Sequence, residues 1–411
     1  MDNKNKLIKK IIITIIVLFI SRIGIFIPIP GINNQEFNAN IIENKIISFL
    51  NIFSGGGFST IGIFSLGIIP YINSSIITQL LVKLVPQLEE IQKNEGEIGK
   101  QKIIRITRYF TIIWAIIQSL SVSLWIQPYT FNSTSYFIID SIIILTTGSM
   151  IIMWFSEIIT EYGIGNGASL IIFQNIVSSI PRNLNKYSIK NIDNIITITL
   201  LLVLCIAILV TNIIIQDSKR KISIISSKQL GNLNNLKEQN YIPLKLNQSG
   251  VMPIVFASAA ITLPQYLVYL NNKNNNLIAN LLNLTITNNI IYLFLYSILV
   301  ITFSYLYSSI ILNPEDISEN LQKMGASIPN IRPGKETIKY LQQIINKLTL
   351  IGSIFLFLIA QLPFIISKIT QINIFQGLGT TSLLILVGVA IDTAKQIQTY
   401  IISEQYDNMM E

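Results

Sequence analysis

The chain has 411 residues, of which 51% are hydrophobic and only 12% charged, with a mean hydropathy of +0.56 and a net charge of +8. Soluble domains carry roughly 25% charged residues, so this share leaves too little polar surface to cover a water-soluble body, and the expected class is an all-α polytopic membrane protein. With no histidine and a single cysteine, Cys205, the sequence excludes Ser-His-Asp and Cys-His nucleophile pairs, His-ligated metal sites and an internal disulfide. Cys205 lies inside an apolar run and reads as a small buried apolar side chain. No catalytic, cofactor or metal site is expected. Heavy use of Ile and Asn suggests an AT-rich genome, which bears on origin and not on chemistry.

In chain order, the first apolar run, Ile11 to Pro28, follows Lys4, Lys6, Lys9 and Lys10. A basic start and an apolar run also describe a cleaved signal peptide. This run is too long for one and ends in Phe26-Ile-Pro-Ile-Pro-Gly31 without a small-residue cleavage site, so a retained first span is expected. The next run, residues 49–72, is apolar enough to cross about 30 Å of hydrocarbon. It nevertheless carries Gly55, Gly56, Gly57, Gly62, Gly67 and then Pro70, all of which weaken a helix. Ten spans are expected, at roughly 9–29, 60–84, 108–127, 136–158, 166–181, 194–215, 249–271, 288–312, 341–367 and 375–398. An even number places both termini on one side. With the N-terminus inside, the inner segments hold 22 of the 29 basic residues and the outer ones 6, so the positive-inside rule puts both termini on the side of synthesis. Two inner loops, about 216–248 and 313–340, are longer than orientation requires, and a docking surface for a large partner is expected there.

Five spans precede the middle and five follow, giving halves at 1–190 and 191–411. An odd number per half inverts one half relative to the other. Gly67-Ile-Ile-Pro70 in the second span and Gly250-Val-Met-Pro253 in the seventh fall at matched positions. Inverted repeats with Gly/Pro-interrupted spans point to a central pathway at the repeat interface. A secondary transporter with this symmetry would need ionisable groups in mid-membrane. Asp140, Glu157, Glu161, Asp392 and Lys395 instead fall near span ends, and the polar side chains in the central spans are uncharged: Thr78, Gln79, Asn166 and Ser258. A neutral, apolar centre suits a passive gate.

Arg22-Ile-Gly-Ile-Phe-Ile-Pro-Ile-Pro-Gly31, the run from Phe49 to Ile72, Gly163-Ile-Gly-Asn-Gly167, Ser249-Gly-Val-Met-Pro253, Ile331-Arg-Pro-Gly334 and Gly379-Thr-Thr-Ser-Leu-Leu384 closely resemble the SecY family, the central subunits of bacterial and plastid Sec translocons. The resemblance covers nearly the whole chain and keeps the motif order. It implies a protein-conducting channel of ten helices in two inverted halves around a central pore, with a lateral gate toward lipid. The implied pore ring is Ile68, Ile72, Ile172, Val255 and Ile385. The implied plug lies at about 49–64, around Phe53, Ser54, Gly55, Gly56, Gly57 and Phe58, with a true span starting near Gly67. The implied lateral-gate residues are Thr78, Gln79, Asn166, Pro253 and Ala259. Hydrogen bonds among such polar groups across a closed gate would have to part on opening, since an unsatisfied polar group in hydrocarbon costs several kcal/mol.

The resemblance also implies docking through Lys219, Arg220, Lys221 and Arg332 to a SecA motor ATPase or a ribosome. Further implied partners are a SecE-type subunit, a SecG-type subunit, an Oxa-type insertase, signal peptides and preproteins, and the lipid membrane, with no direct nucleic-acid binding. Two features depart from the family pattern: the tip of the first inner loop, Lys228 to Lys237, is largely neutral, and no basic extension follows Glu411. The short loops and absent histidine resemble plastid-encoded members, which implies a thylakoid membrane with both termini in the stroma; a bacterial plasma membrane is the alternative. A bilayer insertase without a through-pore is a further rival, against which the plug-like glycine segment stands. Gly163–Gly167 looks like a phosphate-binding glycine loop but follows no buried strand, and a tight turn between spans is expected there.

Overall fold

The structure, a computed structural model, describes residues 2–32, 61–131, 135–185, 192–226, 241–248, 250, 252–257, 260, 289–370 and 380–410. It is mostly helical: α1 (Asp2–Ile25), α2 (Ile69–Leu84), α3 (Pro86–Asn94), α4 (Gly96–Ile126), α5 (Ser135–Tyr162), α6 (Gly167–Asn185), α7 (Ile192–Asp217), α8 (Asn289–Ile311), α9 (Pro314–Lys323), α10 (Lys335–Thr370) and α11 (Thr380–Met410). Among the described residues, four helical stretches are long and apolar enough to cross a membrane: Gly96–Tyr129, Tyr136–Tyr162, Phe294–Lys323 and Lys335–Ile359. The chain divides into two compact units, Met1–Thr199 with Ser258–Asn289 and Pro363–Glu411, and Leu200–Ala257 with Ile290–Leu362.

In the first unit, α1, α2, α4, α5, α6 and α11 pack on one another. The buried faces use small residues, as bilayer helices do when close backbone approach replaces a hydrophobic driving force. On α4 these include Gly99, Thr107, Thr111, Ala115, Ser119 and Ser123. Hydroxyls satisfy the interior: Ser74 Oγ donates to Thr107 O at 2.6 Å, joining α2 to α4, and Ser141 Oγ donates to Ser123 Oγ at 2.8 Å, joining α5 to α4. Gln174 on α6 reaches α1, donating to Leu18 O at 2.7 Å and accepting from Ser21 Oγ at 3.0 Å. One ion pair lies between α4 and α5, where the Arg108 guanidinium grips both Glu157 oxygens at 2.8 and 2.9 Å.

Helix boundaries differ from those expected in several places, α4 for one starting at Gly96 and not near 108. The first helix ends at Ile25, because the Pro28 and Pro30 region cannot continue it; Pro28 instead bridges Gly62, and Ile32 bridges Thr130. The second span's helix starts at Ile69 and not near 60, with Pro70 in the first turn, where its missing N–H removes nothing. The last helix continues past 398 to Met410. Of the seventh span, expected at 249–271, the described helical stretch is 252–257.

In the second unit the two long polar loops fold together. Strand β1 (Lys219–Ser223) pairs antiparallel with β3 (Tyr241–Lys245), and β2 (Ile225–Ser226) from the first loop pairs with β4 (Ala326–Ser327) from the second. Beneath them Ile222, Leu244, Leu321, Ile328, Leu341, Ile344, Ile345 and Leu348 form one apolar core. Each such side chain gains roughly 1.5–3 kcal/mol from burial before entropy. Helix α9 is well specified locally: Asn313 caps it, accepting from Glu315 N, Pro314 opens it, and Glu315 and Asp316 sit at its positive end.

Candidate functional site

The stretch leading into α2 is tightly packed. Ile61, Leu66 and Ile68 are almost wholly buried. Ile29 N–H donates to Ile61 O at 3.0 Å and Ile63 N–H to Ile27 O at 2.9 Å, so the Ile-Pro-Ile-Pro segment and residues 61–63 satisfy each other's backbone, as hydrocarbon surroundings demand. Three glycines permit this. A Cβ on Gly62 would collide with Ile25 O, one on Gly148 with Ile63 O, and one on Gly24 with the Phe64 ring. Phe64 also stacks edge-to-face on Phe155, with centroids 6.3 Å apart. Gly67, at φ +56°, turns the chain into α2. Of the expected plug at about 49–64, residues 61–64 are packed in this way. Phe53, Ser54, Gly55, Gly56, Gly57 and Phe58 lie outside the described residues.

Ile68 is the N-cap of α2 and Ile72 lies one turn on, its N–H donating to Ile68 O at 3.1 Å. Both are buried, as are Ile172 on α6 and Ile385 on α11. These four belong to the first unit; Val255, also buried, belongs to the second. Pro253 is buried beside Ile254, and Ala259 lies outside the described residues. The polar gate candidates make local bonds. Thr78 Oγ1 donates to Ser74 O at 2.9 Å, and Gln79 Nε2 donates to Ser75 Oγ at 3.3 Å. Gln79 Oε1 is buried without a hydrogen-bond partner among the described residues. Asn166 caps α6: its Oδ1 accepts from Ala168 N–H at 3.1 Å and Ser169 N–H at 3.4 Å. The Gly163–Gly167 turn joins α5 to α6 as expected, and only Gly165 in it needs a positive φ, +89°.

Sequence reasoning passed over Asn73, whose side chain is buried with both polar atoms unpartnered among the described residues. The signal was visible, because Asn73-Ser74-Ser75 interrupts an apolar run one turn after Ile69. In the second unit, Lys219, Arg220 and Lys221 stand exposed on β1, with Lys221 Nζ 4.7 Å from the Tyr241 ring centroid. Arg332 is exposed in the turn before α10, where its carbonyl accepts from Thr337 Oγ1 at 2.9 Å. Pairing of β2 with β4 places all four basic residues on one folded cap, although they come from loops about a hundred residues apart.

Apolar helices long enough to cross a membrane and a basic cap folded from two distant loops describe a helical membrane protein. The solved structure described as "The structure of a protein conducting channel" is similar over 97% of this chain and 93% of its own, with a TM-score of 0.70 and 20% identity. Sec61 in the canine ribosome-channel complex is similar over the same shares, with a TM-score of 0.67. The SecY family model matches residues 62–394. "Protein translocase subunit SecY" of Porphyra purpurea is 55% identical over 411 residues, covering 100% of both chains, and that of Synechocystis is 48% identical over 98% of this chain and 94% of its own. The chain belongs to the SecY family.

Proposed function

We propose that this chain is the protein-conducting channel subunit of a Sec-type translocase, passing unfolded preproteins across the membrane and releasing membrane proteins sideways into lipid. The observation that carries the reading is the end-to-end relation, without gaps in coverage, to chains named as translocase subunits. Halves at 1–190 and 191–411 open around a ring of Ile68, Ile72, Ile172, Val255 and Ile385. Their branched apolar side chains repel hydrated ions yet deform around an extended polypeptide. A plug at about 49–64 closes the ring from the far side. Thr78, Gln79, Asn166, Pro253 and Ala259 border the lateral gate.

The chain itself does no bond chemistry; driving force comes from a partner or from the membrane potential. A SecA-type motor or a ribosome docks on the cap through Lys219, Arg220, Lys221 and Arg332. A SecE-type subunit, and a SecG-type subunit where present, complete the channel, with an Oxa-type insertase as a further associate. The red-algal and cyanobacterial kinship supports a thylakoid membrane with both termini in the stroma. Purified with its small partner and reconstituted in vesicles with the motor and ATP, the chain is expected to carry a preprotein into protease protection. Uptake of small solutes with no protected preprotein would contradict the reading.

A further inference from the structure

Apart from Asn166, the glycine-rich Gly163–Gly167 turn has no part in the channel reading, yet four helices converge on it. Gly163 lies against the Thr14 methyl of α1, and Gly167 against the backbone of Ser156 on α5, each with no room for a Cβ. Gly167 N–H donates to Thr160 Oγ1 at 3.0 Å, and Asn166 caps α6. The Gly165 N–H, near the same helix start, donates to Gln396 Oε1 on α11 at 2.7 Å, while the Thr393 methyl stands 3.0 Å from where a Cβ would be. One turn further along α11, Lys10 Nζ of α1 donates to Tyr400 OH at 2.8 Å and lies 4.4 Å from its ring centroid. The first N–H groups of α6, orphaned as at any helix N-terminus, are thus met by Thr160 and Asn166, and the N–H just before the cap by a side chain from the far end of the chain.

We propose that the Gly163–Gly167 turn, Gln396 and Tyr400 form a clasp that holds α11 to α1, α5 and α6 and thereby sets Ile385 against Ile172. Gln396 follows Ile385 by eleven residues, which is three helical turns at 3.6 residues per turn, so clasp and ring residue share one face of α11. Val389 and Ile385 on that face are buried, and α6 packs on α11. Ile172 lies only five residues into α6, within a turn and a half of the clasp. Gln396 and Tyr400 are positioning residues: they fix where a sealing side chain stands and touch no substrate. The inference rests on the ring reading given above.

Ordinary helix packing would not depend on one hydrogen-bond acceptor, and the test turns on that. Gln396→Leu keeps the bulk and removes the acceptor; Gln396→Glu keeps an acceptor; Tyr400→Phe removes the hydroxyl that Lys10 reaches. Transport of a preprotein with a weakened signal and resting ion conductance are measured, both normalised to the amount of channel in the membrane. Gln396→Leu with Tyr400→Phe removes two hydrogen bonds and is expected to raise weak-signal transport at least about fivefold, the effect of losing one, and to raise resting conductance. Gln396→Glu is expected to stay within about twofold of the unaltered channel. Unaltered values for the double variant, or Gln396→Glu behaving as Gln396→Leu, would overturn the clasp. If the double variant does not accumulate, Tyr400→Phe alone carries the same expectation. Crosslinking of a stalled chain from cysteines at Ile172 and Ile385 in the otherwise unaltered channel separates the two claims. Failure there contradicts the ring, whereas capture there with a tight Gln396→Leu channel contradicts the clasp alone.

Discussion

An added methyl group is enough to test the packing below α2. Gly62 and Gly148 each face a backbone carbonyl, Ile25 O and Ile63 O respectively, which cannot swing aside as a side chain would. Gly62→Ala or Gly148→Ala is therefore expected to cost about 1–3 kcal/mol through overpacking, seen as a lower unfolding temperature in detergent and a lower level in the membrane. Gly96, with open space around it, is the control for added bulk, although its φ of +55° adds backbone strain of its own. A second residue-scale expectation concerns Gln79. Its side-chain oxygen is buried without a partner among the described residues, which makes that packing less favourable than it would be with the group satisfied. On the proposed gate reading, Gln79→Leu removes this cost and favours the closed gate, so a signal will need to be more hydrophobic to open it. A transport series across signals of graded hydrophobicity reads this, and an unmoved threshold contradicts it.

Elements show where sequence was legible and where it was not. Long apolar runs separated by basic loops gave α4, α5, α8 and α10 with little ambiguity, because a 3.6-residue helix is the only open way to satisfy backbone in lipid. The residues around the first two spans were less legible. Their prolines and glycines signalled a break, but the result was a small ladder between residues 27–29 and 61–63, a long-range pairing that no local pattern encodes. The inner loops were read as docking surface from length and charge alone; their common apolar core depends on β2 meeting β4 across about a hundred residues. That core yields a test. Leu321→Ala is expected to cost about 2–4 kcal/mol and to weaken motor binding by unfolding the cap. Arg332→Glu should weaken motor binding while leaving the unfolding temperature and the insertion topology unchanged. Inverted topology with intact binding would instead mean that Arg332 serves orientation only.

At the scale of the whole molecule, composition and charge asymmetry determined the class, and motif order determined the family. The ring was legible only through that resemblance, since an isoleucine in a bilayer helix is ordinary until its neighbours are known. The five residues proposed for it are each buried, Ile68, Ile72, Ile172 and Ile385 in one compact unit and Val255 in the other. The most direct test of the channel account replaces Cys205 and then places single cysteines at Ile72, at Ile385 and, as a lipid-facing control, at the exposed Phe19. A secretory chain stalled in mid-transport is then offered for crosslinking. The account predicts capture of the chain at Ile72 and at Ile385 and none at Phe19; capture at Phe19 alone, or at none of the three, would contradict it.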